Sequence, residues 1–230
     1  LTIKNAVIDT SGRTRYSTAA EEGSVLSVYD SVIWSHGIPY GENIPAPTAL
    51  MSSPPPALEI KGNTRTHCTM SNSQSFFYHS KIICDGWAAL STESSEGYVY
   101  LEANDCDVVC TKDGYGAYAD PGCHDVFNNC NLEMARMAAI LAGNCDVTFR
   151  DCKADCGTYF ALMHCVNGWQ EEVGDVIVEG GTIRTQKEAF LIKSDNANIE
   201  LSEVDISSAC GVPVHSIVND DPCATPVTEP

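Results

Sequence analysis

Three side chains suited to proton transfer follow short apolar segments in the second half of the chain. Asp120 lies just after Tyr-Gly-Ala-Tyr, His164 follows Phe-Ala-Leu-Met, and Lys193 follows Ala-Phe-Leu-Ile. A carboxylate, an imidazole and an ammonium group at one edge could abstract a proton or protonate a leaving group. The pattern therefore suggests Asp120 as a general acid/base, His164 as its partner and Lys193 as a charge-stabilising group. The alternative is that all three are ordinary solvated residues at strand ends.

Aromatic and polar residues near these segments supply candidate substrate-binding groups. They are Trp34, Trp87, Tyr118, Trp169, Asp195 and His215. Rings of this kind offer flat area to a sugar or an apolar ligand, and a few polar groups orient it. The alternative role of the large rings is to pin a loop onto the body of the protein.

The cysteine and histidine pattern does not predict a metal site. His124 follows Cys123 and Cys165 follows His164, but no CxxC element accompanies either pair. Calcium on the Asp- and Asn-rich corners is the alternative, because it binds oxygen ligands. Its candidate ligands are Asn104, Asp105, Asp107, Asn128 and Asn129. We expect no cofactor and keep calcium as the alternative.

An internal repeat predicts the elements that position these groups. Residues 101–110, 125–134 and 147–156 share one template, in which Cys106, Cys130 and Cys152 recur. Their spacings of 24 and 22 residues lie in the range typical of a solenoid. Weaker copies occupy residues 1–12, 175–184 and 198–207, with Val204 in the cysteine row.

A second series of short apolar segments precedes the template copies, so each repeat carries two or three short strands. Stacked coils would bury an interior that no single coil could bury alone. We predict an all-β, right-handed parallel β-helix in a single domain, residues 1–230. Residues 133–142 have helix propensity, but the repeat register predicts strands there.

Some segments break the period. Residues 13–57 are rich in Pro and Gly and predict a long excursion, residues 166–175 predict a shorter one, and residues 219–230 predict a cap or tail. Excursions from a regular scaffold commonly carry function. We therefore expect both excursions to fold over the edge that carries Asp120.

The net charge limits the kinds of molecule that the protein is expected to bind. With 13 basic and 31 acidic residues the net charge is -18, which disfavours nucleic acid and anionic lipid. No apolar run approaches the roughly 18 residues that span a bilayer.

The chain begins at Leu1 without a methionine, which fits a removed leader or a trimmed terminus. We expect a secreted or cell-surface location more than a cytoplasmic one.

The 12 cysteines divide into two groups. Those of the repeat row behave as small buried hydrophobes in such a position, and we predict that they are reduced. The remaining candidates for disulfide bonds are Cys123, Cys145, Cys165, Cys210 and Cys223.

The coil pattern over residues 57–218, together with residues 1–12, resembles the pectate-lyase-like family of right-handed parallel β-helix proteins. Val32-Ile33-Trp34-Ser35-His36 is similar to the Val-Trp-Ile-Asp-His stretch of pectate lyases, without its aspartate. The Gly-His-Gly and paired-Asp signatures of polygalacturonases are missing. The resemblance implies the architecture and assigns no catalytic residue.

Three functions are compatible with these observations. The first is a β-helix enzyme that acts by acid/base chemistry in a side groove on a neutral carbohydrate or small molecule. The second is a non-catalytic, adhesin-like surface solenoid. The third is a small-molecule isomerase or cyclase with an apolar aromatic cleft. The first requires Asp120 and His164 within one coil step of each other.

Overall fold

The computed structural model describes residues 1–11, 15–36, 43–44, 60–61, 64–94, 96–112, 114–163, 174–192, 197–211 and 214–216. Every regular element in these residues is a β-strand. The first half contains β1 Thr2–Lys4, β2 Val7–Ser11, β3 Tyr16–Ala20, β4 Val25–Tyr29, β5 Val32–His36, β6 Asn43–Ile44, β7 Ile60–Lys61, β8 Arg65–Met70, β9 Gln74–Tyr78, β10 Lys81–Cys84, β11 Ala88–Glu93, β12 Val99–Asn104 and β13 Asp107–Cys110. The second half contains β14 Tyr115–Ala119, β15 Cys123–Asn128, β16 Asn131–Met134, β17 Met137–Leu141, β18 Asp146–Arg150, β19 Lys153–Cys156, β20 Ala161–Met163, β21 Gly174–Glu179, β22 Thr182–Thr185, β23 Phe190–Ile192, β24 Ala197–Ser202, β25 Asp205–Ser208 and β26 Val214–Ser216.

The strands stack into three parallel sheets of eight strands each, which form a right-handed β-helix. Sheet A consists of β1, β4, β9, β12, β15, β18, β21 and β24. Sheet B consists of β2, β5, β10, β13, β16, β19, β22 and β25. Sheet C consists of β3, β8, β11, β14, β17, β20, β23 and β26. Each coil contributes one strand to each sheet, so the predicted fold is confirmed.

The corner between sheets A and B begins with a residue of positive φ in all eight coils. These residues are Asn5, Asp30, His79, Asp105, Asn129, Asp151, Gly180 and Glu203, and Gly181 after Gly180 also has a positive φ. Asn, Asp and Gly tolerate this left-handed region better than other residues do. The tight corner points the next side chain inward, which explains the regular spacing of the repeat.

The cysteine row fills the space behind that corner. Cys106, Cys130 and Cys152 are buried, and the Cys130 thiol donates to the carbonyl of Asn128 at 3.3 Å. In an earlier coil Ser80 replaces cysteine, and its hydroxyl donates to the carbonyl of Tyr78 at 2.8 Å. The row therefore combines packing with a repeated side-chain to backbone hydrogen bond. The packing role predicted for these cysteines is confirmed.

The disulfide prediction is wrong for two of its candidates. Cys123 and Cys145 are free thiols, buried at matching positions of sheet A. Cys210 is exposed. Cys165 and Cys223 lie outside the described residues.

The long excursion begins later than predicted. Residues 16–36 belong to β3, β4 and β5 of the solenoid, because the buried residues Leu26, Val28 and Ile33 alternate with more exposed neighbours and point into the core. The chain leaves the solenoid between β5 and β8, where β6 and β7 form an antiparallel pair. The prediction for residues 13–57 is therefore wrong over its first half.

The other predicted interruptions fall mostly outside the described residues. Of residues 166–175, only the last two are described, and they begin β21. Residues 219–230 also lie outside the described part. Residues 133–142 lie within β16 and β17 or their corners, so the repeat register overrides local helix propensity as predicted.

Candidate functional site

Asp120 and Glu93 lie at matching positions on neighbouring strands of sheet C. Glu93 ends β11, and Asp120 directly follows β14. Thr92 pairs with Ala119 in the sheet, and the Asp120 amide donates to the Thr92 carbonyl at 3.0 Å. The register therefore places two carboxylates next to each other at one edge of sheet C.

A buried arginine accompanies this carboxylate pair. Arg65 begins β8 and is only 4% exposed. Its guanidinium forms an ion pair with Glu93 and lies 4.1 Å from the ring centroid of Trp87. A cation that has lost its water gains more from an aromatic face than an exposed one does. Arg65 is thus held between a carboxylate and an indole.

Tyr118 completes the group. Its ring centroid lies 4.5 Å from that of Trp87, and its side chain is hydrogen-bonded to Asp120. We call Arg65, Trp87, Glu93, Tyr118 and Asp120 the sheet C cluster.

Burial and charge change the acidity of the cluster. Burial raises the pKa of Asp120, and the nearby Glu93 carboxylate raises it further; the hydrogen bond to Tyr118 and the charge of Arg65 act in the opposite direction. Burial also raises the pKa of Tyr118, as does the Asp120 carboxylate. Asp120 therefore holds a proton more readily than an ordinary aspartate. Two adjacent carboxylates in different surroundings are a common basis of acid/base catalysis.

Cys68 and Tyr16 flank the cluster without adding a reactive group. Burial raises the pKa of the Cys68 thiol to about 12, and the Glu93 charge contributes. Burial likewise raises the pKa of Tyr16 to about 12. Because a thiolate is the reactive form of cysteine, Cys68 is a poor nucleophile. The two carboxylates are the better candidates for chemistry.

The structure brings together three of the predicted site residues, namely Trp87, Tyr118 and Asp120. His164, Trp169, Lys193 and Asp195 lie outside the described residues. His215 belongs to β26, where it pairs with Leu191, and its side chain is not described.

Asp120 and His164 do not follow neighbouring strands. Asp120 follows β14 and His164 follows β20, and β17 lies between these two strands. The neighbours of Asp120 in the sheet register are therefore Glu93 on one side and Ala142 on the other. Because β17 separates the strands that precede Asp120 and His164, the sheet register does not support a single coil step between them, and Glu93 takes the place of His164 as the partner of Asp120.

Trp34 lies on a different face from the cluster. It belongs to β5 in sheet B, its indole nitrogen donates to Asp85 Oδ2 at 3.2 Å, and its ring lies 4.1 Å from that of His36. His36 in turn contacts Asp9 through Nε2 at 2.9 Å. Trp34 therefore does not share a site with Asp120.

Sequence reasoning missed Arg65 and Glu93. A signal for Glu93 existed, since it directly follows Thr92, which the repeat places at the same edge as Asp120. Arg65 could not be found in this way, because its strand follows the long excursion and the period is lost there.

The proposed calcium ligands of the corners are hydrogen-bonded to side chains of neighbouring coils. Asn129 Nδ2 donates to Asp105 Oδ1 at 2.6 Å, and Asn131 Nδ2 donates to Asp107 Oδ1 at 2.9 Å. Asn128 Nδ2 donates to Asn104 Oδ1 at 2.9 Å. Within the described ranges no group of three or more His, Cys, Asp or Glu side chains could hold a metal ion.

In the part of the chain that the structure describes, no helix is long and apolar enough to cross a bilayer. Comparison with known proteins gives no match to this chain among protein-family models, curated proteins or solved structures.

Proposed function

We propose that this protein is an enzyme that cleaves a glycosidic bond in a neutral carbohydrate by acid/base chemistry at the sheet C cluster. The observation that carries the proposal is the pairing of Glu93 with Asp120. The two carboxylates lie at matching positions of adjacent strands, yet one contacts a buried arginine and the other is hydrogen-bonded to Tyr118.

Asp120 is the general acid of this proposal. Its pKa is raised by burial and by Glu93, so it can hold the proton that the leaving oxygen needs. Glu93 stays in contact with the Arg65 cation and acts as the ionised partner. Adjacent strands are about 4.8 Å apart. This spacing is close to the roughly 5 Å between the carboxyl groups of retaining glycosidases, which makes Glu93 the nucleophile.

The chemistry of the surroundings supports a neutral substrate. Trp87 and Tyr118 contribute rings, whereas the buried cation of the cluster is engaged with Glu93. A net charge of -18 opposes the approach of polyanions such as polyuronates. The three-sheet coil supports the further proposal that the chain belongs to the pectate-lyase-like superfamily, with a different substrate class.

A second candidate function is a small-molecule isomerase or cyclase. It is favoured by the apolar cluster beside Trp87, whose buried members are Ala88, Tyr115, Met137, Ile140, Leu162 and Leu191. An apolar cluster next to a carboxyl group whose pKa is raised by burial would suit an uncharged substrate that rearranges without water.

The test is turnover by carboxylate variants. Purified protein is assayed against neutral polysaccharides and aryl glycosides, with Asp120→Asn, Glu93→Gln and the control Glu133→Gln, whose side chain is exposed on sheet B. We expect the first two to lose at least about 100-fold in kcat, while the control keeps its activity. Thermal unfolding checks that each variant is folded. Unchanged turnover by folded Asp120→Asn would exclude the proposed site, and turnover of a non-glycosidic substrate would favour the second candidate.

A further inference from the structure

The outer face of sheet A carries a group of aromatic rings, away from the sheet C cluster. Phe76, Tyr100 and His124 point outward from β9, β12 and β15, and Tyr98 directly precedes β12. The Tyr98 ring lies nearly parallel to Tyr100, with centroids 6.0 Å apart, and 5.0 Å from the ring of His124. Phe76 and Tyr100 are 5.8 Å apart. Tyr98 is nevertheless 48% exposed, so packing fixes the ring while solvent reaches it.

Polar side chains beside these rings are held in fixed orientations. The Tyr100 hydroxyl donates to Glu102 Oε2 at 2.8 Å, and Asn104 Nδ2 donates to Glu102 Oε1 at 3.0 Å. Asn128 Nδ2 donates to Asn104 Oδ1 at 2.9 Å across to the next coil. All four side chains are only partly buried. The network therefore presents pre-oriented amide and carboxylate groups at the surface, which lowers the entropy cost of binding.

The charges on this face favour an uncharged ligand. Arg150 Nε contacts Glu179 Oε2 at 2.7 Å, and the Lys4 ammonium lies 4.7 Å from the centroid of the Tyr29 ring. The described cations Arg150 and Lys4 are thus engaged, while the Glu102 carboxylate lies beside the rings and the Asp146 carboxylate contacts His124 Nδ1 at 2.5 Å. Such a surface repels polyanions and offers rings and hydrogen-bonding groups to hydroxyls, which is the chemistry that recognises sugars.

We propose that the outer face of sheet A is a second, non-catalytic binding surface for a linear neutral glycan, with Tyr98 as its main contact. The glycan runs along the solenoid axis, because ring and amide positions recur at the strand spacing of about 4.8 Å. The proposal shares a ligand class with the proposed function but does not depend on catalysis. It would hold an extended neutral glycan on a different side from the sheet C cluster.

The first test measures binding alone. The protein is run in native gels that contain soluble mixed-linkage β-glucan, xylan or galactomannan, with polygalacturonate as the anionic comparison. We expect retardation by a neutral polysaccharide and none by polygalacturonate. Tyr98→Ala should raise the dissociation constant at least about tenfold, and Tyr98→Phe should keep binding because it keeps the ring. Glu102→Gln should weaken binding, since an amide nitrogen that donates replaces one of the two carboxylate oxygens that accept from Tyr100 and Asn104.

The matched control is Trp34→Ala. Trp34 is also a partly exposed ring, at 36%, but it lies on sheet B, so its loss should leave binding unchanged. Equal losses in Tyr98→Ala and Trp34→Ala, retardation only by polygalacturonate, or no retardation by any polysaccharide would overturn the proposal. So would a concentration-dependent self-association that Tyr98→Ala abolishes in the absence of glycan binding.

The same variants distinguish a failure of the proposed catalytic function from a failure of the proposed binding surface on sheet A. Asp120→Asn should bind polysaccharide like the parent protein even if it loses turnover. Tyr98→Ala should keep its turnover of small aryl glycosides, which are too short to reach sheet A. Binding that disappears in Asp120→Asn and persists in Tyr98→Ala would place the glycan on the sheet C cluster and contradict a second surface.

Discussion

Arg65 lies between Trp87 and Glu93, with its guanidinium 4.1 Å from the indole centroid and in ionic contact with the carboxylate. The arginine is buried on the outer side of sheet C, so its charge depends on these contacts for compensation. Removing it leaves Glu93 as a partly buried carboxylate without its closest cation. The stability of this edge and the charge state of the sheet C cluster are therefore linked.

We expect Arg65→Met to destabilise the protein by about 3 kcal/mol, because breaking a buried ion pair leaves the other charge uncompensated. The double variant Arg65→Met/Glu93→Gln should recover part of the loss. Urea unfolding of the two variants and of Glu93→Gln gives the coupling energy. A double variant that is less stable than Arg65→Met alone would contradict the role of the pair. Arg15→Met is the control, since Arg15 is exposed and lies 4.0 Å from the same carboxylate.

Asp125 makes the stability fall as the pH rises from about 4 to about 8. It points into the solenoid interior, and burial raises its pKa to about 8. Below the unfolded pKa of about 3.9 the side chain is neutral in both states. As the pH rises from about 4 to 8, the unfolded chain ionises while the folded chain stays neutral, so the free energy of unfolding falls by several kcal/mol. Urea unfolding between pH 4 and pH 9 measures this decline.

The variant Asp125→Asn should flatten that decline, because it has no proton to lose. Asp146→Asn is a suitable control on the same sheet, since its side chain is partly exposed and faces outward. A decline of equal size in the parent protein and in Asp125→Asn would show that other groups cause it.

His67 makes the stability depend on acidic pH in the opposite way. Its Nδ1 is 2.9 Å from the hydroxyl of the partly buried Thr18, and its Nε2 is 2.8 Å from the hydroxyl of the buried Ser75. Burial lowers its pKa to about 3. The unfolded imidazole takes up a proton below about pH 6.5, whereas the folded one does not. Stability is therefore lost as the pH falls from about 6.5 to 3.

The variant His67→Gln should be less stable at pH 7, because part of the hydroxyl network loses its partner. Its free energy of unfolding should change less between pH 7 and pH 4 than that of the parent. His79→Gln, at an exposed corner between Asp30 and Asp105, serves as the comparison. Parallel pH profiles for the parent and His67→Gln would refute this explanation.

Substitutions of Cys130 test the packing and hydrogen bonding of the buried cysteine row. Serine occupies the equivalent position in two earlier coils, so Cys130→Ser should cost about 1 kcal/mol, since its hydroxyl can donate to the Asn128 carbonyl. Cys130→Leu should cost about 2 kcal/mol, because the close-packed interior has no space for the larger side chain. Melting temperatures by circular dichroism check the order, and a leucine variant as stable as the serine variant would contradict it.

The sequence by itself determined the coil and its register wherever the repeat is regular. Cys106, Cys130 and Cys152 indicate an interior row, because a corner of constant length returns the chain to the same position once per coil. The same regularity made Trp87, Tyr118 and Asp120 candidate site residues, and the three side chains lie together on sheet C, while their role stays a prediction. In these coils local spacing is sufficient, since neighbouring strands of a solenoid are also neighbours in sequence.

Only the tertiary structure decided the relationships that cross an interruption or depend on burial. Arg65 follows the long excursion and contacts Glu93 of the next coil. The sequence does not show at which residue the coil resumes after the excursion, so this contact could not be predicted from it. Asp125 carries an unusual pKa because the closed interior excludes water on every side, and that is a property of the stacked coils.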